Sequence, residues 1–367
     1  MKPMSNRFSS FLKSHKKRSL LKYFFYEIKT DITLFVKKFK PISASSRRHT
    51  AGKLNLSNQT SHFYGSHRSG WNYAVHSLKD LHNPNGVLLD AFIERTFANN
   101  PKGKYSYTEP WIGFMHIPPG MPDWYQSKQS NQAVFDTDEW KRSISYCRGL
   151  FTLSEYHKRN LQSRFDFPVE NLVHPTEFPK LTWSYERFAR NRDKKLVQVG
   201  WWLRKLLSIY QLEVPGYQKI VLKKRDADME EYFRLELEYQ KGNKIQDKKM
   251  FDTVRRVSFL SNRRYDRLLS ENIVFLDLYD SSANNAIIEC IARNTPLLVN
   301  PIEPVTEYLG KEYPLYFNSL EEAASKAEDM EQIRDAHNFL VNHPMKQKIT
   351  GDYFRESLVR SQIYQLL

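Results

Sequence analysis

The chain of 367 residues has little cysteine and no long apolar run. Its two cysteines, Cys147 and Cys290, form neither a metal-binding set nor a disulfide framework, which favours a reducing compartment. No stretch of about 18 uncharged apolar residues is present, so the sequence predicts no membrane-spanning helix. The first fifty residues also lack the apolar core and the small-residue cleavage site of a secretory signal. We therefore expect a cytoplasmic protein.

Acidic residues are scarce near the amino terminus. The whole chain has a net charge of +15, and residues 1–50 hold 13 Lys/Arg against 2 acidic residues, a net of +11 that leaves +4 for the rest. Lysines are mixed there with Leu, Phe, Tyr and Ile in a roughly helical period. Such a segment could lie on the anionic surface at the inner face of a membrane. A solvated arm without a ligand stays equally open. The aromatics are not spaced for base stacking, so we expect no nucleic acid partner.

From about residue 60 onwards, short apolar runs alternate with helical patterns, which is typical of β-α units and parallel sheets. The pattern stops at the charged segment "WSYERFARNRDKK" and restarts at "KLVQVGWWLRK". The sequence therefore predicts an α/β fold with two Rossmann-like, doubly wound domains facing a central cleft. The predicted boundaries are 1–50 for a basic arm, 51–185 for an N-terminal acceptor-side domain, 186–340 for a C-terminal donor-binding domain, and 341–367 for a C-terminal helix. This helix could cross back to the first domain.

One stretch carries the main prediction of a site. In "LDLYDSSANNAIIECIARNTPLLVNP", an apolar strand ends in a polar turn, a helix follows, and a second strand closes on proline. The first N–H groups of such a helix have no internal partner and, with the helix dipole, favour a phosphate. Ser282, Asn284 and Asn285 are placed to cap the helix or to add donors. Glu289, one turn further on, could accept ribose hydroxyls, as acidic residues do in dinucleotide folds, or could be an ordinary paired glutamate.

Residues 265–310, which contain this stretch, resemble the donor-binding core of GT-B glycosyltransferases. Within that fold, they resemble more specifically the large retaining, family-4-like group that uses nucleotide-sugar donors. Its pattern E-A-x-A-x-G-x-P-V-V is similar to "ECIARNTPLLV", which puts Glu289 at the ribose-binding glutamate. The family's other glutamate, which contacts the donor sugar, falls on Ser281 here, with Asp280 beside it. This departure leaves retention or inversion of stereochemistry open.

Two further segments resemble parts of the donor site. "LVQVGWWLRK" is similar to the family's first donor-domain strand and glycine turn, which implies that Gly200 forms the turn and that Arg204 and Lys205 neutralise the donor diphosphate. A solvated helix start is the alternative for this basic pair. "SHRSGWNYAVHSL" is similar to a loop that closes over the donor phosphates, and it contains Arg68 and Gly70. Because Arg204, Lys205 and the helix N-terminus can replace a metal, we expect no metal and no cofactor besides the nucleotide-sugar co-substrate.

The first domain supplies the candidate catalytic residues. "GFMHIPP" resembles a strand whose terminal histidine, His116 here, reaches the donor sugar; a hydrogen-bonded core histidine is the alternative. An inverting enzyme would need a general base, and His116, Asp123 and Glu109 are the candidates.

The resemblance covers about 60–340 and implies transfer of a sugar from a nucleotide-sugar donor to a glycan or lipid-linked acceptor, in polysaccharide or glycoconjugate biosynthesis. Two alternatives remain. A sugar-nucleotide epimerase of the same fold would need no external acceptor, and a non-catalytic nucleotide-sugar-binding module would release no nucleoside diphosphate.

Overall fold

The computed structural model describes residues 52–57, 70–98, 105–125, 130–222, 227–240, 252–257 and 260–367. The basic arm at 1–50 and Arg68 lie outside these residues. Within them, no helix is long and apolar enough to span a membrane.

Ten strands form two parallel sheets in the described part of the chain. The first sheet, which defines the first half of the molecule, keeps sequence order and contains β1 (Leu54–Asn55), β2 (Val87–Asp90), β3 (Trp111–Phe114), β4 (Cys147–Thr152) and β5 (Val169–Asn171). The second sheet, which defines the second half, contains β6 (Lys195–Val199), β7 (Gln218–Leu222), β8 (Val254–Val257), β9 (Ile273–Leu276) and β10 (Leu297–Val299). The predicted α/β class with two parallel sheets is confirmed.

Helices connect the strands. Those of the first half are α1 (Trp71–Ser77), α2 (Ile93–Phe97), α3 (Asn131–Phe135), α4 (Asp138–Ser143) and α5 (Glu155–Gln162). Those that follow are α6 (Tyr185–Arg190), α7 (Ser208–Gln211), α8 (Ala227–Tyr239), α9 (Asn262–Ser270), α10 (Asn285–Arg293), α11 (Glu303–Leu309), α12 (Leu320–Glu328), α13 (Met330–Val341), α14 (Met345–Lys348), α15 (Gly351–Arg360) and α16 (Gln362–Gln365).

The strands are apolar because both faces of each sheet are covered. All four residues of β9 are buried, as expected for a strand inside a parallel sheet. In the first sheet, neighbouring residues of β3 point to opposite sides: Trp111 belongs to one apolar cluster and Ile112 to another. Helices α15 and α16, although last in sequence, pack on the first sheet, where Phe354 joins the cluster of Ile112.

The order of the second sheet is β10-β9-β6-β7-β8, so the chain reverses its winding direction between β6 and β9. The connections on either side of such a switch point leave the sheet on opposite faces, which opens a crevice beyond the carboxyl ends of the two strands. The topology therefore places the ligand-binding position of this half at the loops after β6 and β9.

Candidate functional site

The two loops at the switch point are 200–205, after β6, and 277–284, after β9. They are joined by backbone hydrogen bonds: the Lys205 N–H donates to the Asp277 carbonyl at 2.7 Å, and the Tyr279 N–H donates to the Leu203 carbonyl at 3.0 Å. The polar turn before α10 and the predicted glycine turn after β6 therefore form one structural unit.

The first loop turns sharply at Gly200, whose φ is +76°, a value that favours glycine. The Arg204 guanidinium fills the space above this turn, because a Cβ on Gly200 would lie 3.3 Å from it. Arg204 donates to the carbonyls of Val199 at 3.3 Å and Trp202 at 2.5 Å, and to Asn284 Oδ1 at 3.1 Å. Burial lowers the pKa of Arg204 to about 10, so the group stays cationic at neutral pH. Arg204 thus holds the turn against the start of α10.

Lys205 is the more accessible of the two predicted cations. Its Nζ lies 2.8 Å from Asp277 Oδ1, and its side chain is 35% exposed, whereas that of Asp277 is 8% exposed. Asp277 also accepts a hydrogen bond from Ser208 Oγ at 2.7 Å. An anion entering the crevice could therefore replace the carboxylate as a partner of Lys205, while Ser208 continues to donate to Asp277.

The predicted start of α10 is confirmed in position. Asn284 is the N-cap, and its Oδ1 accepts a hydrogen bond from the Ala286 N–H at 3.1 Å. Asn285 is exposed. Ser282 contacts the first half instead of the solvent: its Oγ lies 3.3 Å from Ser154 Oγ and 3.1 Å from His157 Nδ1. The turn before α10 therefore lies between the two halves.

Asp280, the predicted donor-site residue beside Ser281, is hydrogen-bonded to protein groups of both halves. Its Oδ1 accepts a hydrogen bond from the Ser281 N–H at 2.7 Å. Its Oδ2 accepts bonds from the Gly120 N–H at 2.6 Å and the Tyr156 hydroxyl at 3.3 Å, both in the first half. The residue is 5% exposed, and burial raises the pKa of its carboxyl group. Both oxygens are thus engaged by the protein, and position 281 itself offers only a hydroxyl.

Glu289 lies in a buried polar network on α10. The residue is 1% exposed, its Oε2 accepts a hydrogen bond from the Tyr265 hydroxyl, and Arg293 Nη1 is 3.9 Å away. Arg293 also pairs with Asp266 at 2.9 Å. A ribose hydroxyl would compete with the Tyr265 hydroxyl for this oxygen, and the ribose-binding role of Glu289 stays a prediction.

His116 follows β3 at the edge of the first sheet that faces the second half. Its Nε2 lies 2.9 Å from the Ala91 carbonyl, and because a carbonyl can only accept, Nε2 carries the proton and Nδ1 is the ring nitrogen with the lone pair. The ring packs against Trp71 and Phe92, with centroid distances of 4.4 and 4.3 Å. Burial lowers its pKa to about 3, so the ring is neutral at neutral pH.

Glu94 was missed by the sequence analysis. Its Oε1 accepts hydrogen bonds from the N–H groups of His116 and Ile117, both at 2.7 Å, and so fixes the backbone around the histidine. Its Oε2 is buried and has no hydrogen-bond partner among the described residues. Burial raises the pKa of Glu94 to about 7. A single glutamate in the apolar run "AFIERTF" was the available signal.

The other two candidate bases lie in different places. Asp123 is exposed in a short 3₁₀ helix after β3, on the same side of the sheet as His116. Nearby Tyr125 accepts a hydrogen bond from the Leu203 N–H at 2.8 Å, so this segment touches the glycine-turn loop. Glu109 precedes β3 and therefore lies at the opposite edge of the sheet. The structure therefore does not bring Glu109 close to His116 and Asp123, and the prediction that these three residues share one site is wrong for Glu109.

Gly70, predicted in a phosphate-covering loop, is the N-cap of α1 and has no side chain with which to cap it. The next residue, Trp71, provides the ring that packs on His116. Gly70 is therefore close to the candidate site in the described part of the chain.

No family model and no curated protein matches the sequence. Several solved structures have a similar fold. The α,α-trehalose-phosphate synthase (UDP-forming) from Burkholderia vietnamiensis is 13% identical, with 78% of this chain and 74% of that one covered and a TM-score of 0.50. A trehalose-6-phosphate synthase is 12% identical over 81% of this chain and 76% of its own, with a TM-score of 0.52. The sucrose-phosphate synthase from Thermosynechococcus elongatus is 15% identical over 71% and 68%, with a TM-score of 0.52.

These likenesses define the class of fold. Two parallel five-stranded sheets with flanking helices, facing each other through their strand ends, form the GT-B arrangement predicted from the sequence. The resemblance to GT-B glycosyltransferases is confirmed at this level.

Proposed function

We propose that the protein is a glycosyltransferase that uses a nucleotide-sugar donor. The observation that carries the proposal is the unit formed by the Gly200 turn, Lys205 and the start of α10 at the switch point of the second sheet, with His116 on the facing edge of the first. Structural neighbours named as trehalose-phosphate and sucrose-phosphate synthases, one of them UDP-forming, support it.

In such a reaction the nucleoside diphosphate leaves, and negative charge grows on it as the sugar acquires positive character. Lys205 and the positive end of the α10 dipole would stabilise this charge more in the transition state than in the bound donor, which is the condition for catalysis. Arg204 would contribute indirectly, because its donors already hold the turn.

His116 would orient a sugar or acceptor hydroxyl through Nδ1. A group with a pKa of about 3 is a weak base at neutral pH, so we assign it a hydrogen-bonding role and not proton removal. If transfer inverts the anomeric centre, Asp123 would be the base, because it is the exposed carboxylate among the candidates at this edge.

Two acceptor classes follow from different observations. The names of the structural neighbours favour a sugar phosphate. The basic arm at 1–50 favours a glycan or lipid-linked acceptor at the inner face of a membrane, because lysines interleaved with aromatics bind anionic lipid. Both acceptor classes are compatible with the same nucleotide-sugar donor.

The test begins with a thermal-shift screen of UDP-, ADP- and GDP-sugars. A ligand at a hundred times its Kd stabilises the folded state by about 2.7 kcal/mol. Release of the nucleoside diphosphate is then measured alone, with glucose 6-phosphate or fructose 6-phosphate, and with lipid-linked glycans. Acceptor-dependent release supports the proposal. Conversion of the sugar without an acceptor would indicate an epimerase, stabilisation without turnover would indicate a binding module, and no stabilisation by any donor would overturn the proposal.

A further inference from the structure

The segment 116–125 of the first half crosses to the second half and is held at three points. At its start, Glu94 accepts the N–H groups of His116 and Ile117. In the middle, Asp280 accepts the Gly120 N–H. At its end, Tyr125 accepts the Leu203 N–H. We propose that Asp280 is a positioning residue that clamps this segment onto the second half and so sets the placement of His116 towards the donor.

The contact between Asp280 and Gly120 is short and built for a close approach. The N···O distance of 2.6 Å is at the short end for an N–H···O hydrogen bond. A Cβ on Gly120 would lie 2.7 Å from Asp280 Oδ2 and 3.0 Å from the Tyr156 hydroxyl, so a side chain there cannot be accommodated without a shift. Residue 120 therefore fits this carboxylate only as glycine.

The position of Asp280 is itself supported by the first half. Tyr156 donates its hydroxyl to Asp280 at 3.3 Å and its backbone N–H to Glu307 Oε2 at 3.2 Å. The Glu155 N–H donates to Glu307 Oε1 at 2.7 Å. Two carboxylates of the second half thus bind the first turn of α5, and Asp280 links that turn to the 116–125 segment.

Asp280 acts through the segment and not on the donor, because its oxygens are engaged by three protein donors. Its removal would release Gly120 while leaving Gly200 and Lys205 in place. Donor affinity should then stay near its normal value while the chemical step slows. This kinetic part of the inference rests on the proposed function; the clamp itself does not.

Hydrogen–deuterium exchange tests the clamp without turnover. In Asp280→Ala, amides in the 117–125 segment should exchange at least about tenfold faster than in the wild type, because the Gly120 N–H has lost its acceptor. The matched control is Asp329→Asn, which changes another carboxylate that accepts two backbone N–H groups, those of Glu331 at 2.9 Å and Gln332 at 3.0 Å. The clamp would be overturned if amide exchange in the 117–125 segment were unchanged in Asp280→Ala. It would also be overturned if exchange in that segment rose equally in Asp329→Asn.

A double-mutant cycle with Gly120→Ala gives the second readout. Alone, Gly120→Ala should loosen the segment, since its methyl collides with Asp280. In Asp280→Ala only the 3.0 Å approach to the Tyr156 hydroxyl is left, so the added methyl should change exchange less than it does in the wild type. Fully additive effects would contradict direct contact.

With UDP-glucose as the probe, kcat for UDP release should fall about tenfold to a hundredfold in Asp280→Ala with KM within about twofold, as expected for lost positioning. A raised KM with unchanged kcat would overturn the positioning role. If the wild type releases no nucleoside diphosphate from any nucleotide sugar while the exchange result is positive, the proposed function fails and the clamp stands.

Discussion

Replacing Lys205 by methionine should weaken the binding of UDP and leave the binding of uridine unchanged. In the structure Lys205 is the accessible cation at the switch point, with Asp277 as its present partner at 2.8 Å. The diphosphate of a bound donor would take the place of this carboxylate. Uridine has no phosphate, so it does not depend on Lys205.

The expected magnitude follows from the exposure of the side chain. A hydrogen bond to a charged group contributes about 1.5–3 kcal/mol, and because Lys205 is one-third exposed we expect the lower end, about a tenfold rise in the Kd for UDP. The variant also leaves Asp277 without its cation. Ser208 still donates to this carboxylate, so we expect a loss of about 1–3 kcal/mol in the free energy of unfolding.

Calorimetric titration with UDP and with uridine, combined with denaturant unfolding, separates the two effects. In Lys205→Met/Asp277→Asn the unpaired carboxylate is removed, so stability should recover while UDP affinity stays low. Lys195→Met is the matched control, because Lys195 pairs with Asp193 at 2.6 Å at the amino end of β6, away from the switch point. It should bind UDP normally.

Two results would refute this reasoning. Wild-type UDP affinity in Lys205→Met would mean that the diphosphate lies elsewhere. An equal loss of uridine and UDP affinity would mean that the substitution disrupts the whole loop. That second pattern is instead expected for Arg204→Ala, since Arg204 binds the carbonyls of Val199 and Trp202 and the N-cap of α10.

Three further predictions concern other parts of the chain. Glu289→Gln should keep the fold, by circular dichroism, but weaken nucleotide-sugar binding about tenfold in titration calorimetry, because a neutral amide is a poorer acceptor for ribose hydroxyls; unchanged affinity would exclude the ribose role. Burial raises the pKa of Glu94 from 4.5 to about 7, so the folded state binds the extra proton and stability falls as pH rises through this range. Glu94→Gln should remove this dependence, about 3 kcal/mol between pH 4.5 and 7, in urea unfolding at several pH values, and an unaltered pH profile would contradict it. Deleting 1–50 should lower sedimentation with anionic liposomes without changing hydrolysis of a soluble donor; equal sedimentation would make the arm a solvated extension.

Local chemistry explains what the sequence could predict. The strand, polar turn and helix around 276–301 are specified by neighbouring residues, so the N-cap Asn284 could be named among three candidates and the turn at Gly200 could be located from the order of residues alone. The two parallel sheets followed from apolar runs separated by helical patterns for the same reason. The chain direction of β3 could also be predicted. It would have excluded Glu109 from the site at the carboxyl end of the strand, because Glu109 comes before the strand.

Contacts between the halves could not be predicted in this way. Gly120 and Asp280 are 160 residues apart, and nothing local to either one indicates that a carboxylate will accept that N–H. The same holds for Leu203 and Tyr125. Which hydroxyls and carboxylates stay available for a ligand depends on these pairings, so the sequence could suggest Asp280 as a donor-sugar contact but not reveal that its oxygens are engaged.

The packing of α15 and α16 on the first sheet affects the order of folding during synthesis. Phe354, Leu358 and Ile363 belong to the same apolar cluster as Ile112 and Phe151, so the core of the first half is incomplete until Ile363 has left the ribosome. The last strand of that half ends at residue 171, and translating the chain from there to Ile363 takes about 10–40 s at roughly 5–20 residues per second. The second half, whose strands are contiguous in the chain and whose apolar cluster ends at Ile349, can complete its core before Ile363 is reached. The amino-terminal half of this protein is therefore the one that completes its core last.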